Sequence, residues 1–119
     1  MIKYYKILVA DDDKHTHIIL KTILNDKLFE IFNAYDGSEA VDITFKNRID
    51  LILMDQRMPN MDGLTAAKTI RKMCPKLPII SISAYDPEPD HLKVFDEFIS
   101  KPIDKKLLRN TVKKLLNIQ

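Results

Sequence analysis

Leu51-Ile52-Leu53-Met54-Asp55-Gln56-Arg57-Met58-Pro59-Asn60-Met61-Asp62-Gly63 is the stretch that decides how this chain folds. Its first four residues form an unbroken apolar run, as in a strand buried on both faces. The run stops on an acid, Asp55, and a carboxylate at the end of a buried strand needs a partner for its charge. Asp62 suits the N-cap of a helix, and Gly63 gives the backbone freedom where that helix starts. The helix carries Leu64, Ala66, Ala67, Ile70 and Met73, and Pro75 and Pro78 close it. Met73 and Cys74 read as core or helix-end packing.

The same alternation extends in both directions. Towards the N-terminus, Ile7-Leu8-Val9-Ala10 reads as a buried strand ending in Asp11-Asp12-Asp13. Ile19, Leu20, Ile23 and Leu24 then share one helical face. Phe29 to Ala34 is a weaker strand. Asp36-Gly37-Ser38 opens a helix bearing Ala40, Val41 and Thr44. Towards the C-terminus, Ile79-Ile80-Ser81-Ile82 is a strand ending at Ser83-Ala84. Phe98-Ile99-Ser100 is a short strand ending at Lys101-Pro102. Asp104 caps a last helix with Leu108, Val112, Leu115 and Leu116. Strand and helix thus alternate about five times. That pattern predicts a doubly wound α/β fold, a parallel sheet with helices on both faces. No repeat, low-complexity segment or linker interrupts it. The chain of 119 residues is expected to be one domain, 1–119, with no output domain.

Composition excludes several classes. Apolar residues make up 45 % and charged residues 30 %, which suits a globular domain rather than a disordered or fibrous chain. The longest apolar runs are about four residues, against about 20 for a membrane-spanning helix. Lys3, Lys6 and the Asp cluster interrupt any signal-peptide pattern. Cys74 is the single cysteine and has no internal partner, which fits a reducing cytoplasm. A net charge of +2 gives no reason to expect direct binding of nucleic acid, and membrane insertion is not expected either.

In open parallel sheets, ligands bind beyond the carboxyl ends of the strands. There the sequence places Asp11, Asp12, Asp13, Asp55, Ser83 and Lys101. Two carboxylates about 5 Å apart repel by about 3 kcal/mol at an effective dielectric near 20. Three together need a cation. Hard oxygen donors suit Mg²⁺, or Mn²⁺, better than Zn²⁺, and no Cys/His cluster argues for zinc. Such a cation would offset charge on a phosphoryl group, Lys101 could contact another of its oxygens, and Asp55 could attack phosphorus. Asp13 and Asp62 read as helix caps. His15 and His17, early in the first helix, read as solvent-facing, and His91 carries no signal.

These residues resemble a known family. Ile7-Leu8-Val9-Ala10-Asp11-Asp12-Asp13, Met54-Asp55-Gln56-Arg57-Met58-Pro59-Asn60-Met61-Asp62-Gly63, Ser83-Ala84 and Ser100-Lys101-Pro102 stand in the order seen in response-regulator receiver domains of two-component systems. The resemblance implies a flavodoxin-like sheet of order 2-1-3-4-5. It implies that Asp55 is the phosphoacceptor, that Asp12 and Asp55 ligate the metal directly, and that Asp11 does so through water. The Arg57 backbone carbonyl would be a further ligand. Ser83 would turn towards the phosphate, Lys101 would contact it, and Lys101-Pro102 would be a cis peptide. Phe98 would be the aromatic switch whose ring moves inward on activation. The implied donor is a phosphohistidine of a histidine kinase or histidine phosphotransfer domain. The output is an unidentified downstream protein or attached domain. Such a chain is no enzyme beyond catalysing its own phosphorylation and dephosphorylation.

Two features depart from the family pattern. Only seventeen residues separate Ser83 from Lys101, and Asp86-Pro87-Glu88-Pro89 occupies the start of the fourth helix. That helix is expected to be short, about two turns, because proline fits only a first turn. Arg57 and Tyr85 flank Asp55 and Ser83 at positions that tune phosphoryl lifetime in the family, and their bulk predicts slow loss. Two other functions compete. A pseudo-receiver would keep the fold as an interaction module without the chemistry. An Asp-nucleophile phosphohydrolase would want a second acid where Arg57 stands.

Overall fold

The computed structural model describes residues 2–118. The elements run β1 (Tyr5–Ala10), α1 (Lys14–Ile23), β2 (Phe29–Ala34), α2 (Gly37–Lys46), β3 (Leu51–Asp55), α3 (Gly63–Met73), β4 (Ile79–Ser83), α4 (Pro89–Leu92), β5 (Glu97–Ser100) and α5 (Lys105–Leu116). The five strands form one sheet in the order β2-β1-β3-β4-β5, and every pairing is parallel. This is the doubly wound, flavodoxin-like arrangement expected from the sequence.

The apolar runs become central strands because both of their faces are covered. β3 and β4 are buried at every position. Successive side chains point to opposite faces, so the strands feed two separate cores. Ile7, Val9, Leu53 and Ile82 pack with Leu20 and Leu24 of the first helical segment and Leu108 and Val112 of α5. Leu8, Ala10, Ile52 and Met54 pack on the other face with Ala40 of α2 and Ala66, Ala67 and Ile70 of α3.

Four helices start on an aspartate. Asp13, Asp36, Asp62 and Asp104 accept from the backbone N–H of His15, Glu39, Thr65 and Leu107. Each such cap contributes about 1 kcal/mol. The fourth helix is shorter than expected, a single turn at Pro89–Leu92. Its continuation is diverted into tertiary contacts. Phe95 is pulled into the core, and the carbonyl of Val94 accepts from Nε and Nη2 of Arg71. The same guanidinium pairs with Asp96 at 2.9 Å, so the chain leaves the helix to enter β5.

Two apolar positions depart from expectation. Ile19 is half exposed, and Met73 stands out of the end of α3, while Cys74 packs partly against the core. Among the described residues, no helix is long and apolar enough to cross a membrane.

Candidate functional site

Parallel pairing brings the carboxyl ends of four strands to one edge. Asp11 follows β1 directly, Asp55 ends β3, Ser83 ends β4 and Lys101 follows β5. The register sets Asp55 beside Ile82 and Ser83 beside Ser100. Asp11, Asp12, Asp55, Arg57, Ser83, Tyr85 and Lys101 thereby share one recess of about 300 Å³.

Charge in the recess is unbalanced. Asp11, Asp12 and Asp55 bring carboxylate oxygens within 4.8 Å of one another. Lys101 Nζ lies 3.1 Å from Asp11 Oδ2 and 3.3 Å from Asp55 Oδ1. Asp11 is only 2 % exposed, and its Oδ1 accepts from the Asp13 N–H at 2.8 Å. Asp12 is exposed. Asp13 caps α1 at the rim of the recess, so of the three successive acids two bring carboxylate oxygens into the cluster.

The titration of these groups follows from that crowding. Burial, and then the nearby charge of Asp11, push the Asp55 carboxyl up to about 6, although Lys101 opposes the shift. Burial by itself would pull Lys101 down. Its hydrogen bond to Asp11 and the charges of both carboxylates outweigh this, and the ammonium titrates above its ordinary value. One ammonium against three carboxylates, with the Arg57 guanidinium stacked on Tyr85 at the mouth, still leaves a deficit of positive charge. All the donors are hard oxygens, one of them exposed, so the set fits a hard divalent cation.

The loop after Asp55 is held at several points. Gly63 N–H donates to the Gln56 carbonyl at 3.1 Å, and Gly37 N–H to the Met61 carbonyl at 2.9 Å. Asn60 adopts a left-handed φ of 65° and donates from Nδ2 to Asp36 Oδ2 at 2.8 Å. The Asn60, Glu39 and Ser38 bonds hold the Asp36 carboxyl below its usual range, the backbone bond from Glu39 being the largest cause. At the mouth of the recess, the Arg57 guanidinium stacks on the Tyr85 ring, 3.8 Å from its centroid. Lys101-Pro102 is a cis peptide.

Ser83 stands between this recess and a second cleft. Its Oγ accepts from the Tyr85 N–H at 3.1 Å. The second cleft, about 310 Å³, is lined by Ser81, Ser83, Tyr85, His91 and Phe98. Phe98 is half-buried and meets Phe95 edge-on, ring centroids 6.0 Å apart. On its floor, Gln56 Nε2 donates to Ser81 Oγ at 2.8 Å, a pair that no sequence signal announces.

The histidines divide. His15 is exposed, 3.4 Å from Asp13, and stays outside the carboxylate cluster. His17 is not solvent-facing: it is buried, with Nε2 2.7 Å from the Asp11 carbonyl and Nδ1 2.7 Å from Asn33 Oδ1. The signal was in the spacing, because His17 precedes Leu20 and Leu24 by three and seven residues on the buried stripe.

Known proteins share this sheet and its order of elements. The family model for the response regulator receiver domain matches residues 7–113. Sporulation initiation phosphotransferase F of Bacillus subtilis (strain 168) is 33 % identical, over 96 % of this chain and 95 % of that protein. The receiver domain of the Francisella response regulator 1452 superposes with a TM-score of 0.86 at 32 % identity, over 95 % of this chain and 97 % of that one. The receiver domain of AraT, a response regulator from Geobacillus stearothermophilus, gives a TM-score of 0.86 at 29 % identity, over 98 % of this chain and 95 % of that one. With the family model spanning nearly all the sheet and the strand order unchanged, the chain belongs to the response regulator receiver domains, the phosphoacceptor signalling modules of two-component systems.

Proposed function

We propose that Asp55 is the phosphoacceptor of a Mg²⁺-dependent switch fed by the phosphohistidine of a histidine kinase or histidine phosphotransfer domain. The observation that carries this reading is the meeting of a buried Asp55 carboxylate with Asp11, Asp12 and Lys101 at one sheet edge. Asp12, Asp55 and the Arg57 backbone carbonyl would hold Mg²⁺ or Mn²⁺ directly, and Asp11 through water. When bound, the cation neutralises charge on the phosphoryl oxygens.

The chain's own residues do the rest. Asp55 titrates at about 6 and is mostly ionised at neutral pH, ready as a nucleophile. One of its oxygens attacks phosphorus in line. A carboxylate O–P bond forms, the P–N bond of the donor breaks, and the electron pair returns to the donor imidazole. Lys101, already 3.3 Å from Asp55 Oδ1, donates to a phosphoryl oxygen. The Ser83 hydroxyl turns to donate to the new phosphate, and Phe98 swings into the cleft beside it. Phosphorylation adds about −1.5 to −2 of charge, and these two side chains convert it into a changed partner face. The recipient is a downstream protein or an attached domain. The stacked Arg57 and Tyr85 shield the acyl phosphate from water and lengthen its life. The reading places the switch in the cytoplasm, with no direct contact to nucleic acid or membrane.

Intact mass after incubation with acetyl phosphate tests this. Wild type with Mg²⁺ gains one phosphoryl group, and neither Asp55→Asn nor wild type in chelator does. The adduct decays faster in Arg57→Ala than in wild type. An equal adduct on Asp55→Asn contradicts the assignment of Asp55, and an unchanged decay in Arg57→Ala contradicts the shielding role.

A further inference from the structure

Every polar group of Asp11 is engaged, and three of the four are held by groups that sequence order or charge explain. Its N–H donates to the Ala34 carbonyl at 3.1 Å, its Oδ1 accepts from Asp13 N–H and its Oδ2 from Lys101. The fourth group, the backbone carbonyl, is reached by His17 Nε2 at 2.7 Å. That carbonyl belongs to the peptide linking Asp11 to Asp12. The plane of this peptide sets where the Asp12 side chain leaves the backbone, and Asp12 is the exposed acid of the cluster.

The imidazole is itself immobilised. It is 6 % exposed and sits one turn into α1, on the stripe that faces the sheet. Tyr35 covers it, ring centroids 4.4 Å apart at a tilt of 38°. Nδ1 meets the side-chain oxygen, Oδ1, of Asn33 at 2.7 Å, at the end of β2. A carbonyl only accepts, so Nε2 must carry the proton. Nδ1 faces the Asn33 side-chain oxygen, so the ring is held from both of its nitrogens. Asn33 and Tyr35 therefore hold the ring in place, the ring holds the Asp11 carbonyl through Nε2, and the carbonyl fixes the Asp12 backbone.

We infer that His17 is a positioning residue for the cation site, acting through the Asp11–Asp12 peptide. It touches neither the cation nor the phosphoryl group. The inference rests on the metal-site reading above and adds the residue that pre-orients it. Partners that orient ligands in this indirect way typically change metal affinity 10- to 100-fold when lost.

Calorimetric titration of Mg²⁺ into wild type, His17→Leu and His17→Gln, beside thermal unfolding of each in chelator, tests it. Leu keeps the apolar volume and removes the donor, while Gln returns an N–H at a similar reach. Wild type binds, His17→Leu binds about tenfold more weakly, and His17→Gln recovers most of the difference. Recovery by Gln separates positioning from bulk stability, which both variants lower. Equal Mg²⁺ affinity in wild type and His17→Leu overturns this inference alone. A wild type that binds no Mg²⁺ overturns the metal-site reading and this inference with it. Long-range ¹⁵N–¹H correlation on wild-type imidazoles decides the matter even if His17→Leu fails to fold. A His17 carrying a proton at Nε2 is expected, and one protonated at Nδ1 alone overturns the proposal.

Discussion

At the scale of single residues, the site is a balance between Asp55 and its neighbours. Removed from water beside Asp11, the Asp55 carboxyl titrates at about 6 in the folded chain, against 3.8 as its ordinary value. The folded state therefore binds this proton more tightly than the unfolded state. The stabilisation from that proton is complete below pH 3.8 and is lost as the pH rises through about 6. Without divalent cation, Asp55→Asn should gain stability relative to wild type across this window, by about 3 kcal/mol at most. Urea unfolding of both proteins in chelator from pH 4 to 8 checks it. A difference that stays flat with pH would contradict the raised titration of Asp55. The meeting of Asp55, Asp12 and Lys101 was legible because each stands at the carboxyl end of a strand-like run. His17 was not, since a polar residue early in a helix reads as exposed unless its spacing to Leu20 and Leu24 is weighed.

At the scale of elements, the site depends on how closely α3 starts against β3. A Cβ added at Gly63 would collide with the backbone carbonyl of Asp55, which cannot yield as a flexible side-chain tip would. Gly63 N–H also donates to the Gln56 carbonyl, tying the helix start to the loop that follows Asp55. Gly63→Ala should cost about 1–3 kcal/mol in stability and displace the Asp55 carbonyl. The measurement is the urea midpoint together with the yield of phosphoryl adduct. Both should fall, and a variant with wild-type values of both would show that the approach is relaxed at no cost. The starts of α1, α2, α3 and α5 were readable from Asp13, Asp36, Asp62 and Asp104. The length of α4 was only half readable. Pro87 and Pro89 announced a short helix, but its single turn follows from Arg71 and Phe95, tertiary partners that local sequence does not reveal.

At the scale of the molecule, parallel topology turns scattered acids into a site. Asp11 and Lys101 are 90 residues apart in sequence and 3.1 Å apart in space. That meeting was legible because strand and helix alternate regularly, and a parallel sheet puts all its strand ends on one edge. What alternation leaves open is the packing between the sheet edge and its loops, such as the Arg57–Tyr85 stack and the Gln56–Ser81 pair. The most direct test of the account is where the phosphoryl group lands. Borohydride reduction of the acetyl-phosphate-treated protein, followed by peptide mass mapping, converts an aspartyl phosphate into homoserine in place. The account predicts homoserine at position 55 and at no other acid, in amounts that follow the Mg²⁺-dependent adduct. Homoserine at position 11 or 12, or an adduct that leaves Asp55 unreduced, would contradict it.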